Sequence, residues 1–130
     1  MKIILLSGNH SIGKTTTLNL VYDQLIQGMQ NPPPKKKIQF GSPDDFESSP
    51  LQYNGKTVAI YSLGDTLYRV YDAIIRYCGT VDVLIIACRT GRSEFDALVA
   101  TVQGCPQHQV IHKTSRAKNK ADCQSIINSI

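Results

Sequence analysis

Gly8-Asn9-His10-Ser11-Ile12-Gly13-Lys14-Thr15 sets two glycines five residues apart and follows the second with a lysine and a threonine. This is the spacing G-x-x-x-x-G-K-[ST], and those residue types suit one task, the binding of a polyphosphate. Glycines let the backbone curl so that several N–H groups face phosphate oxygens, a lysine bridges the terminal phosphates, and a hydroxyl holds Mg²⁺. The candidate nucleotide contacts are therefore Gly8, Asn9, His10, Ser11, Ile12, Gly13, Lys14, Thr15 and Thr16, with Thr15 as a metal ligand. At average residue usage the four fixed positions coincide by chance in roughly one chain in a few hundred of this length. The plain structural alternative is a glycine-rich turn that only joins a strand to a helix.

The flanking residues supply the elements such a loop needs. Ile3-Ile4-Leu5-Leu6 is a short apolar run that reads as a buried strand, and Leu18, Val21, Tyr22, Leu25, Ile26 and Met29 recur with the period of a helix face. Strand, loop and helix thus follow in the required order. Residues 1–28 resemble the opening unit of the P-loop NTPase superfamily.

Beyond the loop, the helix is expected to end near Gly28, because Pro32-Pro33-Pro34 cannot continue it. Lys35-Lys36-Lys37 leads into an extended piece over residues 38–40, its charges reading as a solvated turn or an anion patch. Residues 42–50, with Asp44, Asp45 and Glu47, read as a mobile acidic loop bounded by prolines. Asn54-Gly55 marks a two-residue hairpin before the strand at residues 56–61. A helical stripe runs from Leu67 to Cys78 and closes at Gly79, and residues 83–88 form a continuous apolar run of the kind covered on both faces. Ser93 can cap a third helix, stopped at Gly104-Cys105-Pro106; a short strand at residues 109–112 and a closing helix through Cys123, Ile126, Ile127 and Ile130 complete the chain. Alternating strands and helices predict one α/β domain over residues 1–130, a three-layer α/β/α arrangement with a mainly parallel sheet and one hairpin-linked edge strand. That is the fold the resemblance also implies.

The bulk composition narrows the class without choosing a function. With 130 residues, 42% hydrophobic and 18% charged, the chain is an ordinary globular domain, and its net charge of +4 suits an anionic small ligand as well as nucleic acid. Cys78, Cys88, Cys105 and Cys123 include no C-x-x-C pair, so neither a zinc site nor a redox pair is indicated. The apolar stretch at the start is too short for a signal peptide or a membrane span, and a cytoplasmic location is expected. Nucleic acid is not an expected partner, since the lysine-rich stretches lack aromatic interleaving.

In open α/β sheets ligands lie beyond the carboxyl ends of the strands, so the residues just after each strand complete the site. The resemblance implies an acid there to hold the Mg²⁺ shell; the position after Val58-Ala59-Ile60-Tyr61 is Ser62, and the next carboxylate is Asp65. Asp65 is the candidate for a metal-bound water or for orienting an attacking water, with an N-cap as its structural alternative. Arg89, which ends the apolar strand, is the candidate for stabilising charge on a transferring phosphoryl group, ahead of Arg92. Arg116, Lys118 and Lys120 read as a solvated helix start. Asn119-Lys120-Ala121-Asp122 spells the N-K-x-D pattern by which GTPases recognise guanine, but it does not come directly off a buried strand, and Tyr68 occupies the glycine position of a D-x-x-G at Asp65. The resemblance is therefore closer to nucleotide kinases than to small GTPases.

These readings converge on Mg²⁺-dependent binding of a nucleoside triphosphate, ATP being expected with GTP left open. Lys14, Asp65 and Arg89 are the candidate catalytic residues for hydrolysis or for phosphoryl transfer to a small acceptor. The alternative is a nucleotide-dependent switch or binding module with slow turnover that acts on a protein partner.

Overall fold

The computed structural model describes residues 1–39 and 41–130. Within these residues seven strands form one mixed sheet: β1 (Lys2–Gly8), β2 (Lys35–Lys37), β3 (Phe46–Ser48), β4 (Leu51–Tyr53), β5 (Lys56–Tyr61), β6 (Val83–Arg89) and β7 (His108–Lys113). Among the described residues four helices accompany it, α1 (Lys14–Leu25), α2 (Leu67–Tyr77), α3 (Ser93–Gln103) and α4 (Asn119–Ser129), with a 3-10 turn at Arg116–Lys118 leading into the last. The sheet order is β2-β3-β5-β6-β1-β7, with β4 also on β5.

Side chains alternate along the central strands, and this period of two builds two cores. Ile3, Leu5, Ala59, Tyr61, Leu84, Ile86 and Cys88 pack with Val70, Ala73 and Tyr77 of α2 and with Phe95, Leu98 and Val102 of α3. The intervening Ile4, Leu6, Val58, Ile60, Val83, Ile85 and Ala87 pack with Leu18, Val21, Tyr22 and Leu25 of α1 and with Cys123 and Ile126 of α4. Helices therefore cover both faces. The central strands are buried on both sides, which explains why residues 83–88 are continuously apolar.

The expectation of a mainly parallel sheet with one hairpin-linked edge strand is corrected. β5, β6, β1 and β7 are mutually parallel, while β2, β3 and β4 pair antiparallel, so the sheet is mixed. A parallel pairing needs a crossover of about a dozen residues or more. The segments joining β2 through β5 are too short for one and make hairpin-type returns instead. Asn54 and Gly55, with φ of 49° and 75°, form the expected tight turn between β4 and β5. β3 and β4 run along the same edge of β5, separated at Ser49-Pro50, where proline has no N–H for the ladder.

The segment expected to be a mobile acidic loop is thus largely built into the sheet. Phe46 and Ser48 are buried, and the Ser48 hydroxyl accepts from the Ile60 amide while the Ser62 hydroxyl accepts from the Phe46 amide. Of the extended piece expected at residues 38–40, Ile38 is buried, and Phe40 lies outside the described residues. The three lysines form edge strand β2, where charge discourages pairing with another chain. Lys35 is also packed, its ammonium lying 4.7 Å from the Tyr22 ring centre and 4.9 Å from that of Phe46. Among the described residues no helix is long and apolar enough to cross a membrane.

Candidate functional site

β1 lies between β6 and β7, with Gly8 in register with Arg89 on one side and Lys113 on the other. The connections leaving β1 and β6 lead to opposite faces, since α1 packs in one core and α3 in the other. A crevice opens where neighbouring strands diverge in this way. The Gly8–Thr15 stretch fills it.

Both glycines are required there. A Cβ on Gly8 would stand 2.5 Å from Ile12 Cδ1 and 2.9 Å from the Lys113 carbonyl oxygen. Gly13 has φ of 91°, and a Cβ on it would stand 2.7 Å from Asn119 Oδ1. Ser11 is also left-handed, with φ of 61°. Left-handed residues in such a turn aim successive amides toward one concavity, which favours an anion. Among the described residues, none of the amide N–H groups from Asn9 to Thr16 makes a well-formed hydrogen bond to a carbonyl or a side chain, although His10 and Ser11 lie in a tight turn. No acidic residue sits in the first turn of α1, so the positive end of the helix is not neutralised.

Lys14 lies within this concavity and is only 7% exposed. Its ammonium donates to the Gly8 carbonyl at 3.0 Å and the Asn9 carbonyl at 2.7 Å, and it stands 3.9 Å from Asp65 Oδ1. Burial holds the Lys14 ammonium below its usual pKa, partly offset by Asp65. The neighbouring Cys88 thiol is pushed up to about 12 by burial, so it stays neutral and the anions near Lys14 are Asp65 and Asp45.

Many of the predicted site residues gather around one cleft of about 480 Å³, with altered partnerships, while Gly8, Asn9, Ile12 and Arg89 do not line it. His10, Ser11, Gly13, Lys14, Thr15, Thr16 and Asp65 all line it. Asp65 does not sit on Thr15: its carboxylate lies beside Lys14 and 3.4 Å from His10 Nδ1. Nor does it cap α2, whose N-cap is Thr66. The acid on Thr15 is Asp45, which accepts from the Thr15 hydroxyl at 2.8 Å and from the Ser62 hydroxyl at 2.9 Å through the same oxygen. Its other oxygen accepts from the amide and hydroxyl of Ser42. Asp45 is 5% exposed. Ser62, the residue standing where an acid was expected, is thus the support for an acid that stands just before the neighbouring antiparallel strand β3.

Arg89 is half-buried beside the loop, its amide donating to the Gly64 carbonyl at 2.9 Å, and its side chain does not line the cleft. Thr90 does tie that strand end to the loop, through its amide on the Gly8 carbonyl and its hydroxyl on Asn9 Oδ1. The arginine in the cleft is Arg116, whose Nε donates to the Ser11 carbonyl at 3.2 Å. Arg116 is exposed at the 3-10 turn leading into α4, the solvated helix start that was expected, and it reaches the loop as well because β7 ends directly beside β1.

The N-K-x-D residues begin α4. Asn119 rests against Gly13 and accepts from the Thr17 hydroxyl at 3.2 Å. Asp122 accepts from the ammonium of Lys113, which is buried, at 2.9 Å. Asn119 braces the loop from behind, and Asp122 ties α4 to the end of β7. Among the described residues no cluster of three or more His, Cys, Asp or Glu side chains could hold a metal ion by itself. The chain matches no protein-family model, and comparison with curated proteins and with solved structures returned no significant match.

Proposed function

We propose that the chain is a P-loop nucleotide-binding domain that takes a Mg²⁺-bound nucleoside triphosphate in the cleft over Gly8–Thr15. The observation carrying this reading is the run of unengaged amides from Asn9 to Thr16 wrapped around a buried Lys14. Backbone donors and a single ammonium in a helix-N-terminal turn suit phosphate oxygens and little else. ATP is the expected nucleotide; with Asp122 held by Lys113, the carboxylate that would select guanine is already engaged.

The donor set fits the implied metal. Thr15 and Asp45 offer two hard oxygens 2.8 Å apart, and Mg²⁺ in triphosphate sites takes one or two protein oxygens, with phosphate oxygens and water completing its shell. Bound there, the metal would neutralise charge on the terminal phosphates. Thr15 and Asp45 would hold it, Ser42 and Ser62 fix the Asp45 carboxylate, and Lys14 would exchange the loop carbonyls for phosphate oxygens. Asp65, 39% exposed in its side chain and lining the cleft, is placed to accept a proton from water or from an acceptor hydroxyl. Steady-state phosphate release, with and without nucleoside monophosphates, separates hydrolysis from transfer: ADP formation stimulated by an acceptor means a kinase.

One observation favours the second reading, a nucleotide-dependent module acting on a protein. Helix α2 follows the cleft-lining Ser62–Thr66 segment directly and exposes Tyr68 and Ile75 at 72% and 73%. Slow release that no acceptor stimulates supports this reading.

A further inference from the structure

Resting on the nucleotide reading, the sheet order also gives the ligand a direction. The segment that leads into β3 and the one that leaves β5, on one flank of the loop, bring Asp45, Ser62 and Asp65 into the cleft. The groups that act on a terminal phosphate, Lys14 with Asp65 and Thr15 with Asp45, therefore face that flank. The other flank belongs to β7, and what it contributes to the cleft is Arg116. A phosphate chain laid over the loop with its terminal phosphate toward Asp45 and Asp65 has its nucleoside end toward Arg116.

We infer that Arg116 is the cation that holds the nucleoside-proximal phosphate, a binding residue distinct from the transition-state role expected of Arg89. Its stem lies over Gly13, with Cγ 3.3 Å from where a Cβ would be, and its Nε is pinned to the Ser11 carbonyl. Among the described residues the two terminal nitrogens of the guanidinium make no hydrogen bond. A planar fork held by one edge presents its remaining donors without a large ordering cost. The contact is one of ground-state binding, since the phosphate nearest the nucleoside carries no developing charge when the terminal bond breaks.

Calorimetric titration of the full chain with Mg·ATP and with Mg·ADP, for the wild type, R116Q, R116K and K14A, tests this. The expected result is a loss of roughly tenfold in affinity in R116Q, equal for ATP and ADP, with R116K recovering most of it. Unchanged affinity in R116Q overturns the inference while K14A still abolishes binding. A loss confined to ATP overturns it too, by placing Arg116 at the terminal phosphate, and an R116K as weak as R116Q shows that charge is not what the site uses. Equal binding of ATP by K14A and wild type is a different failure, that of the nucleotide reading itself.

Discussion

At the scale of single residues, the site depends on which acid stands where. Asp45 and Asp65 both line the cleft, yet one is buried on Thr15 and the other is half-exposed beside Lys14. Their variants should therefore separate. Asp45→Asn weakens the Mg²⁺ dependence of triphosphate binding by about tenfold or more, because an amide offers the metal a neutral oxygen in place of a charged one. Asp65→Asn leaves Mg²⁺ affinity near wild type and lowers turnover, in the range of 10²-fold typical for removing a proton acceptor, about 10²–10⁴. Magnesium titrations of binding and of phosphate release on both variants check the assignment; a reversed pattern returns the metal to Asp65. Ser62→Ala is the finer probe. It removes one of the donors on Asp45 without touching the loop, and a shift in Mg²⁺ dependence smaller than that of Asp45→Asn is expected.

At the scale of elements, the strand, loop and helix at the start of the chain were legible because each carries a local signal: an apolar run, two spaced glycines, and a stripe at helical period. The hairpin at Asn54-Gly55 was legible for the same reason. What local signals do not carry is which strand lies beside which. Asp45 reaches Thr15 only because β3 pairs antiparallel with β5, a contact between residues thirty apart. Arg116 reaches Ser11 only because β7 lies beside β1. Both sit in segments whose local composition reads as a polar loop, and no periodicity marks them. The same pairing gives the N-K-x-D residues their observed work. Lys113 at the end of β7 and Asp122 in α4 form an ion pair with the Lys113 side chain wholly buried. Asp122→Asn leaves that ammonium without its counter-charge and should cost about 3 kcal/mol in urea unfolding, the scale for breaking a buried pair. A loss below about 1 kcal/mol would mean the pair is solvated and does not brace α4. The same variant should leave the preference between ATP and GTP unchanged, because the carboxylate is engaged inside the protein.

At the scale of the whole molecule, two cores on opposite faces of one sheet make a rigid platform whose loops converge at a single edge. Cysteine reactivity reports on that platform. Cys88 and Cys123 are buried, and burial raises both thiols above their ordinary pKa, whereas Cys78 at the end of α2 is exposed. Alkylation of the native chain should modify Cys78 readily, leave Cys88 and Cys123 protected, and reach all the cysteines only in denaturant. Rapid native labelling of Cys88 would contradict the packing of β6 against α2 and α3. Ligand binding should act on the same platform, since a ligand that binds only the folded chain stabilises it by about 2.7 kcal/mol at a hundred times its Kd. The most direct test of the central claim is calorimetric titration of the chain with ATP, with and without Mg²⁺, alongside Lys14→Ala. Stoichiometric binding that is strengthened by Mg²⁺ and abolished by Lys14→Ala is the predicted result; no binding by the wild type, or equal affinity in Lys14→Ala, would contradict it.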